Sequence, residues 1–298
     1  MRDLDAFLAD HGIEVLDVTS GAASGTRRLI LGRLGDPQPT HAVALANTAA
    51  AVDAVETESR HLEELHGRLG LVMRATIPSA VEQVRVTGLP AVVVTAVPGL
   101  RAVSDEQTRS GVRAEAGAVQ AWLAQLWQET ADDAEPVDLG RDVLHLLRSR
   151  SRRISGMADT LRAVDHAYAR LSSFTVARTV SHGCLCRHHV FVHDGVVSGV
   201  DNWGASDLRG DPLRDLGHWV VRSTGRHLDQ VMAARTPLNR SLRDFVIAGL
   251  AVWAIPQTSW RDVLLLAEAE LAGKALQDGD YGAMELLTKV ARAMPREK

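Results

Sequence analysis

Short apolar runs fill the first hundred positions of the chain, and apolar residues recur at helical spacing over most of the rest. Ile13, Val15 and Val18 lead into Ser20-Gly21-Ala22-Ala23-Ser24-Gly25-Thr26. Leu29-Ile30-Leu31 and Ala42-Val43-Ala44-Leu45-Ala46 follow, separated by a turn region with Pro37 and Pro39. Residues 13–46 therefore predict strands around a small-residue loop. Residues 49–67 predict a helix whose inward stripe is Val52, Val55, Leu62 and Leu65. Glu58 falls on that stripe, and an acid on an inward face needs a partner. Val84-Arg85-Val86 and Ala91-Val92-Val93-Val94 flank Thr87-Gly88-Leu89-Pro90, which predicts a strand pair joined by a turn. Pro98-Gly99 breaks this pattern and divides the chain into a β-rich part, 1–97, and a mainly helical part, 98–298. Helical stripes follow over 105–130, 140–171 and 239–295, the last with Leu242, Phe245, Val246, Leu250 and Trp253.

One β signal interrupts the helical part. Val190–His193 and Val196–Val200 flank Asp194-Gly195, the strongest short hairpin signal a sequence offers. Closing that hairpin brings His189 beside Asp201 and Asn202, and the loop from Ser181 to His188 feeds into the same end. A cluster of His182, Cys184, Cys186, His188, His189 and Asn202 is expected there.

Composition narrows the classes. With 46% hydrophobic and 23% charged residues the chain has the make-up of an ordinary globular protein. No apolar run reaches the roughly 20 residues a membrane helix needs. A formal net charge of -4 gives no basic footprint for nucleic acid. Met1-Arg2-Asp3-Leu4-Asp5 is too acidic to open a secretion signal. Cys184 and Cys186, with one residue between them, would close a strained disulfide, so a reducing, cytoplasmic location is expected. Lysine occurs only as Lys274, Lys289 and Lys298; elsewhere the basic residues are arginine.

The stretch His182-Gly183-Cys184-Leu185-Cys186-Arg187-His188-His189-Val190, followed by Gly199-Val200-Asp201-Asn202-Trp203 and Gly210-Asp211-Pro212-Leu213-Arg214-Asp215-Leu216, resembles the loop series of the bacterial aminoglycoside/choline phosphotransferases. Upstream, Glu58–Leu65 resembles the family helix that carries a lysine-pairing Glu, and Thr95-Ala96-Val97-Pro98-Gly99 resembles its hinge. The resemblance implies an α+β, protein-kinase-like, two-lobed fold, with a small β-rich lobe holding one long helix and a larger helical lobe. The family needs a strand lysine on the phosphates, its Glu partner, an Asp that orients the acceptor, and an Asn and an Asp for Mg²⁺. The equivalent positions here read Ala46, Glu58, Cys184, His189 and Asn202. Only Glu58 is kept, so no catalytic residue is expected; Arg27, Arg28 or Arg85 is the available substitute for the lysine. His182, Gly183, Trp203, Asp211, Pro212 and Asp215 are the family's structural positions.

The resulting expectation is a pseudokinase acting as a peptide- or protein-binding scaffold subunit. The resemblance extends it to a bacterial peptide-modifying, natural-product assembly with an active kinase homologue and a lyase as partners. The alternative is a divergent ATP-dependent phosphotransferase for a small hydroxyl or amine compound, using an arginine as cation and Asp201 or Asp207 turned inward. No cofactor is expected, although hinge backbone contacts leave ATP and Mg²⁺ open; Gly21, Gly25, Thr95 and Val97 are the candidate contacts. Cys184, Cys186, His188 and His189 are zinc-ligand types, but the Cys-x-Cys spacing is shorter than structural zinc sites use, and the expected state is an inert loop without metal.

Overall fold

A computed structural model describes residues 1–298 apart from 21–24, 102–108, 152–156, 278 and 295–298. In chain order the first elements are β1 (Arg2–Asp3), α1 (Leu4–His11), β2 (Ile13–Ser20), β3 (Thr26–Arg33), β4 (Pro39–Ala46), α2 (Val52–Arg68), α3 (Leu71–Arg74), β5 (Ala80–Val86), β6 (Leu89–Thr95) and β7 (Leu100–Arg101). Then come α4 (Arg109–Thr130), β8 (Ala134–Pro136), α5 (Arg141–Ser151), α6 (Met157–Leu171), β9 (Thr175–Ala177), β10 (Thr179–Ser181), β11 (Val190–His193), β12 (Val196–Val200) and β13 (Asp207–Gly210). The chain closes with α7 (Pro212–Thr224), α8 (Leu228–Ala233), α9 (Pro237–Val252), α10 (Trp260–Gln277) and α11 (Gly282–Arg292).

These elements group into two compact units. The first takes residues 1–102, 182–184 and 188–208; the second takes 103–181, 185–187 and 209–298. A cut at 97/98 follows chain order only. The hairpin β11–β12 returns to the first unit, because β11 pairs with β7 through Phe191↔Arg101 and Val192↔Leu100.

The first unit is built on a six-stranded sheet in the order β1-β5-β6-β4-β3-β2. β1 lies parallel to β5, and the other pairings are antiparallel. Both predicted tight turns form. Thr87 and Gly88 have φ of 50° and 85°, and Asp194 and Gly195 have 49° and 76°. Two successive left-handed residues give the mirror-image turn whose twist matches a hairpin. Ala42–Ala46 is buried at every position, because both faces of β4 are covered. Leu4 and Phe7 of α1 pack with Leu31, Val43, Val84 and Val93 on one face. α2 contacts β4, β5 and β6 and buries Val55, Leu62 and Leu65. Residues 2–11, whose sequence shows little beyond charge, form β1 and α1, ended by Gly12 at φ 60°.

The second unit is mainly helical. α10 is buried on nearly all sides, including Leu264, Leu265, Leu266, Ala267 and Ala269, because α5, α6, α7, α9 and α11 all pack on it. The tract expected over 140–171 resolves into α5 and α6. Asp211 caps α7: its Oδ1 accepts from the Leu213 N–H at 2.9 Å, with Pro212 in the first turn. Its Oδ2 accepts from the Asp138 and Leu139 N–H groups at 2.9 and 3.2 Å. Asp215, also on α7, is fully buried.

Candidate functional site

Inside the first unit, three elements bring one cation and two carboxylates together. β3 supplies Arg28, the inward stripe of α2 supplies Glu58, and the chain leaving β12 supplies Asp201. Arg28 Nη1 donates to Glu58 Oε1 at 2.8 Å, and its Nε lies 4.0 Å from Asp201 Oδ2. Glu58 Oε1 also accepts from the Trp203 N–H at 3.2 Å. Arg28 is 1%, Glu58 2% and Asp201 6% exposed, so this group works at low dielectric. Burial alone pulls the Arg28 guanidinium down, but the charges of Glu58 and Asp201 and the hydrogen bond to Glu58 outweigh it, and its pKa ends above the ordinary value.

Strand geometry explains why Arg28 is the arginine chosen. Side chains alternate across a strand, so Arg27 points away from the face that Arg28 enters; Arg27 and Arg85 are both exposed. Arg28 stands opposite Ala44 of β4 in the register. Ala44, Glu58 and Asn202 line one small pocket. Of the β4 residues, Ala44 lines that pocket; Ala46, the position expected from sequence, lies two residues further on, opposite Thr26.

The hairpin end forms as the Asp-Gly turn predicts. The Asp201 N–H donates to the His189 carbonyl at 2.9 Å, and His189 Nδ1 lies 3.3 Å from both Asp201 Oδ1 and Asn202 Nδ2. The His182 ring packs edge-on against Trp203 at 4.9 Å, and its Nε2 lies 2.8 Å from the Asp201 carbonyl. Asn202 adopts φ 71°, a left-handed conformation that Asn tolerates. Asp201 and Asn202 line different cavities.

The rest of the expected cluster does not converge. Cys184 and Cys186 are buried thiols that group with different units, and His188 is exposed. Among the described residues, no three His, Cys, Asp or Glu side chains are placed to hold a metal ion. His188 and His189 sit in a short 3-10 turn, Arg187–His189, that leaves His188 outside and His189 half-buried, which sequence spacing alone does not reveal.

Gly183 has φ 72°, and a Cβ there would run into the Ala205 carbonyl. Both the left-handed backbone and the overlap oppose any side chain. Gly183→Ala should lower stability by about 1–3 kcal/mol, measured as a shift in the urea midpoint; an unchanged midpoint would contradict this reading.

A cavity of about 460 Å³ opens on the same group. Leu16, Ile30, Ala42 and Phe191 give it apolar walls, Thr95–Gly99 one rim, and Arg28 and Asp201 its charged end. Its volume falls in the range of small-molecule sites. His41, at the rim, is pushed below its ordinary pKa by burial and then by the His11 ring. Of the nucleotide contacts expected from sequence, Thr95 and Val97 line this cavity. Gly25 does so nowhere along its lining; at φ 75° it sits against Thr48 instead. Gly21 lies outside the described residues. Leu16, Ile30 and Phe191 carry no sequence signal for the cavity beyond their place in strands.

No family model matches the chain, and no curated protein matches it. Solved structures do. The crystal structure of aminoglycoside phosphotransferase APH(4)-Ia aligns over 98% of this chain and 98% of that one, with a TM-score of 0.64 and 10% identity. The GDP complex of aminoglycoside 2'-phosphotransferase-IIIa aligns over 94% and 93%, with a TM-score of 0.61 and 14% identity. Macrolide 2'-phosphotransferase MphH from Brachybacterium faecium aligns over 99% and 100%, with a TM-score of 0.59 and 15% identity. Together with the β-rich first unit and the helical second unit, these alignments give the chain the protein-kinase-like fold that the aminoglycoside and macrolide phosphotransferases share.

Proposed function

We propose that this chain is a nucleotide-binding protein of phosphotransferase fold whose main role is binding rather than phosphoryl transfer. One observation carries the proposal. Arg28, held by Glu58, and Asp201 keep a charged end on a ligand-sized cavity, while the position that would orient an acceptor is the buried thiol of Cys184. A neutral thiol accepts a hydrogen bond poorly, and losing a general base typically costs about 10²–10⁴ in rate. Nucleotide as the ligand class is supported by the neighbours: APH(4)-Ia has been solved with AMP-PNP and hygromycin B, and the 2'-phosphotransferase-IIIa with GDP. The cavity's apolar walls, the backbone of Thr95–Gly99 and the Arg28 guanidinium suit a base at one end and phosphate at the other. The partner class stays the one the sequence resemblance implies, a peptide or protein such as an active kinase homologue.

The test is a γ-³²P transfer assay on the purified chain, run beside thermal melting with ATP or GTP. Stabilisation by nucleotide without transfer is the expected result, and co-purification of a partner would extend it. Turnover at the roughly 1–100 s⁻¹ of kinases would overturn it.

A second reading has its own observation. Arg28 brings a buried cation to Glu58 from a neighbouring strand, and Asp201 brings a carboxylate to the cavity wall. Two charge roles of a phosphotransferase for a small hydroxyl or amine compound are thus filled from other positions. Label appearing on an aminoglycoside or similar acceptor in the same assay would select this reading.

A further inference from the structure

Between residues 235 and 261 the chain carries four arginines, Arg235, Arg240, Arg243 and Arg261, and one acid, Asp244, although its overall charge is -4. This stretch runs from the entry of α9 to the first turn of α10, inside the second unit. Arg240 and Arg243 are three apart on α9, so they share one face of that helix. Arg261 comes close to Arg243 from α10. Burial first, and then the Arg243 charge, pull its guanidinium below the ordinary value, with Asp262 pulling the other way.

Two guanidiniums that repel swing apart when they are free to move. Arg261 is not free. Its Nε donates to the Met232 carbonyl at 3.2 Å, and its guanidinium carbon lies 4.4 Å from the centre of the Trp260 ring. Arg243 is held by Asp244, whose Oδ1 accepts from its Nε and Nη2 at 2.9 and 2.6 Å. The acid next to Arg261 in the chain does not neutralise it. Asp262 is buried and accepts from Arg170 Nε and Nη2 at 3.0 and 2.8 Å. Among the described residues no carboxylate pairs with Arg235, Arg240 or Arg261. Arg235 and Arg240 are exposed. The face is a fixed excess of positive charge with two forks already oriented, so an anion can bind there with little loss of side-chain entropy.

The chemistry narrows the partner. Guanidinium forks match carboxylates. Arg235 and Arg243 are separated by roughly 12 Å at helical rise, a distance that about four residues of an extended segment span. A long polyanion such as nucleic acid would also meet the rest of a net-negative surface. A short acidic segment feels mainly this face, because salt screens charge beyond roughly 8 Å. We propose that the face of α9 carrying Arg240 and Arg243, together with Arg261 of α10, docks a short run of Asp or Glu on a partner protein. The inference rests on the protein- or peptide-partner part of the reading above and is independent of its nucleotide part.

Fluorescence anisotropy of the full chain with a labelled hexaglutamate peptide tests it, beside hexaglutamine and a thymidine oligomer of equal charge. Hexaglutamine should bind at least about tenfold more weakly than hexaglutamate, and rising salt should weaken hexaglutamate. Arg261→Gln removes a stacked, half-buried fork and should weaken hexaglutamate by about tenfold. Arg240→Gln removes an exposed charge and should weaken it about two- to threefold. Because Arg240 is exposed, its variant stays informative if Arg261→Gln melts early. Arg85→Gln, exposed on the first unit, should change nothing. Equal binding of the two peptides, or an equal loss in Arg85→Gln and Arg261→Gln, would overturn the proposal. The thymidine oligomer binding as tightly as hexaglutamate would assign the face to nucleic acid instead. Self-association that Arg261→Gln abolishes would assign it to a second copy of this chain. If hexaglutamate fails to bind while nucleotide still raises the melting temperature, this inference falls and the nucleotide-binding reading stands.

Discussion

Glu58→Ala is expected to destabilise the protein by about 3–5 kcal/mol, because it strands a buried arginine. Among the described residues, Glu58 is the only hydrogen-bonded carboxylate on Arg28; Asp201 is 4.0 Å away, too far to replace it. The substitution also takes the acceptor from the Trp203 N–H. Much of the cost is the uncompensated charge rather than the worth of the pair. The double variant Arg28→Met with Glu58→Leu removes both charges and keeps the volume, so it should recover most of the loss. Urea titrations followed by tryptophan fluorescence measure this, since Trp203 is fully buried beside the pair. A Glu58→Ala loss below about 1 kcal/mol, the level of an exposed ion pair, would show that the pair is solvated and that the burial described here is wrong.

Raising pH should weaken the fold between about pH 4.5 and 8 through one side chain, Glu268 of α10. It is 2% exposed, and burial pushes its carboxyl up from 4.5 to about 8, with Arg222 pulling the other way. In the unfolded chain this group loses its proton near its ordinary value; in the folded chain it holds it until about pH 8. Across that window the folded state binds more protons, so stability falls as pH rises. At about 1.4 kcal/mol per pKa unit the ceiling is about 4–5 kcal/mol above pH 8. Glu268→Gln cannot ionise and should flatten that part of the profile. Glu270, on the same helix, acts in the opposite sense. Burial raises it, but hydrogen bonding to His218 and the charge of Arg214 more than offset this and hold it below its ordinary value. Its contribution is present above about pH 4.5 and is lost as pH falls, so Glu268→Gln should leave the acid limb unchanged. Identical wild-type and Glu268→Gln profiles between pH 5 and 8 would rule out the buried neutral carboxyl.

Much of this molecule is written locally. Asp194-Gly195 and Thr87-Gly88 set their hairpins because the turn needs only two residues with left-handed backbones. Val55, Leu62 and Leu65 fixed the inward face of α2, and so placed Glu58 inside before any partner was known. Closing the β11–β12 turn was enough to bring His189 to Asp201 and Asn202. The order of motifs from His182 to Leu216 pointed to the fold that the solved neighbours share.

Other features depend on residues far apart in the chain. Arg27, Arg28 and Arg85 were equal candidates until the pairing of β3 with β4 set which one faces Glu58, since a one-residue slip reverses every side chain of a strand. The same register sets Ala44 opposite Arg28, in a small pocket that Glu58 also lines. β1 and α1 are too short to show a period, and Phe7 becomes core only because the sheet is there to receive it. Cys184, Cys186, His188 and His189 look like one ligand set in sequence, yet spacing carries no direction, and the folded loop parts them. Sequence therefore determined the elements, the turns and the inward acid, which depend on neighbours a few residues away. Tertiary structure alone decided which cation meets that acid and that a cavity opens beside them, because the first depends on strand register and the second on segments over a hundred residues apart.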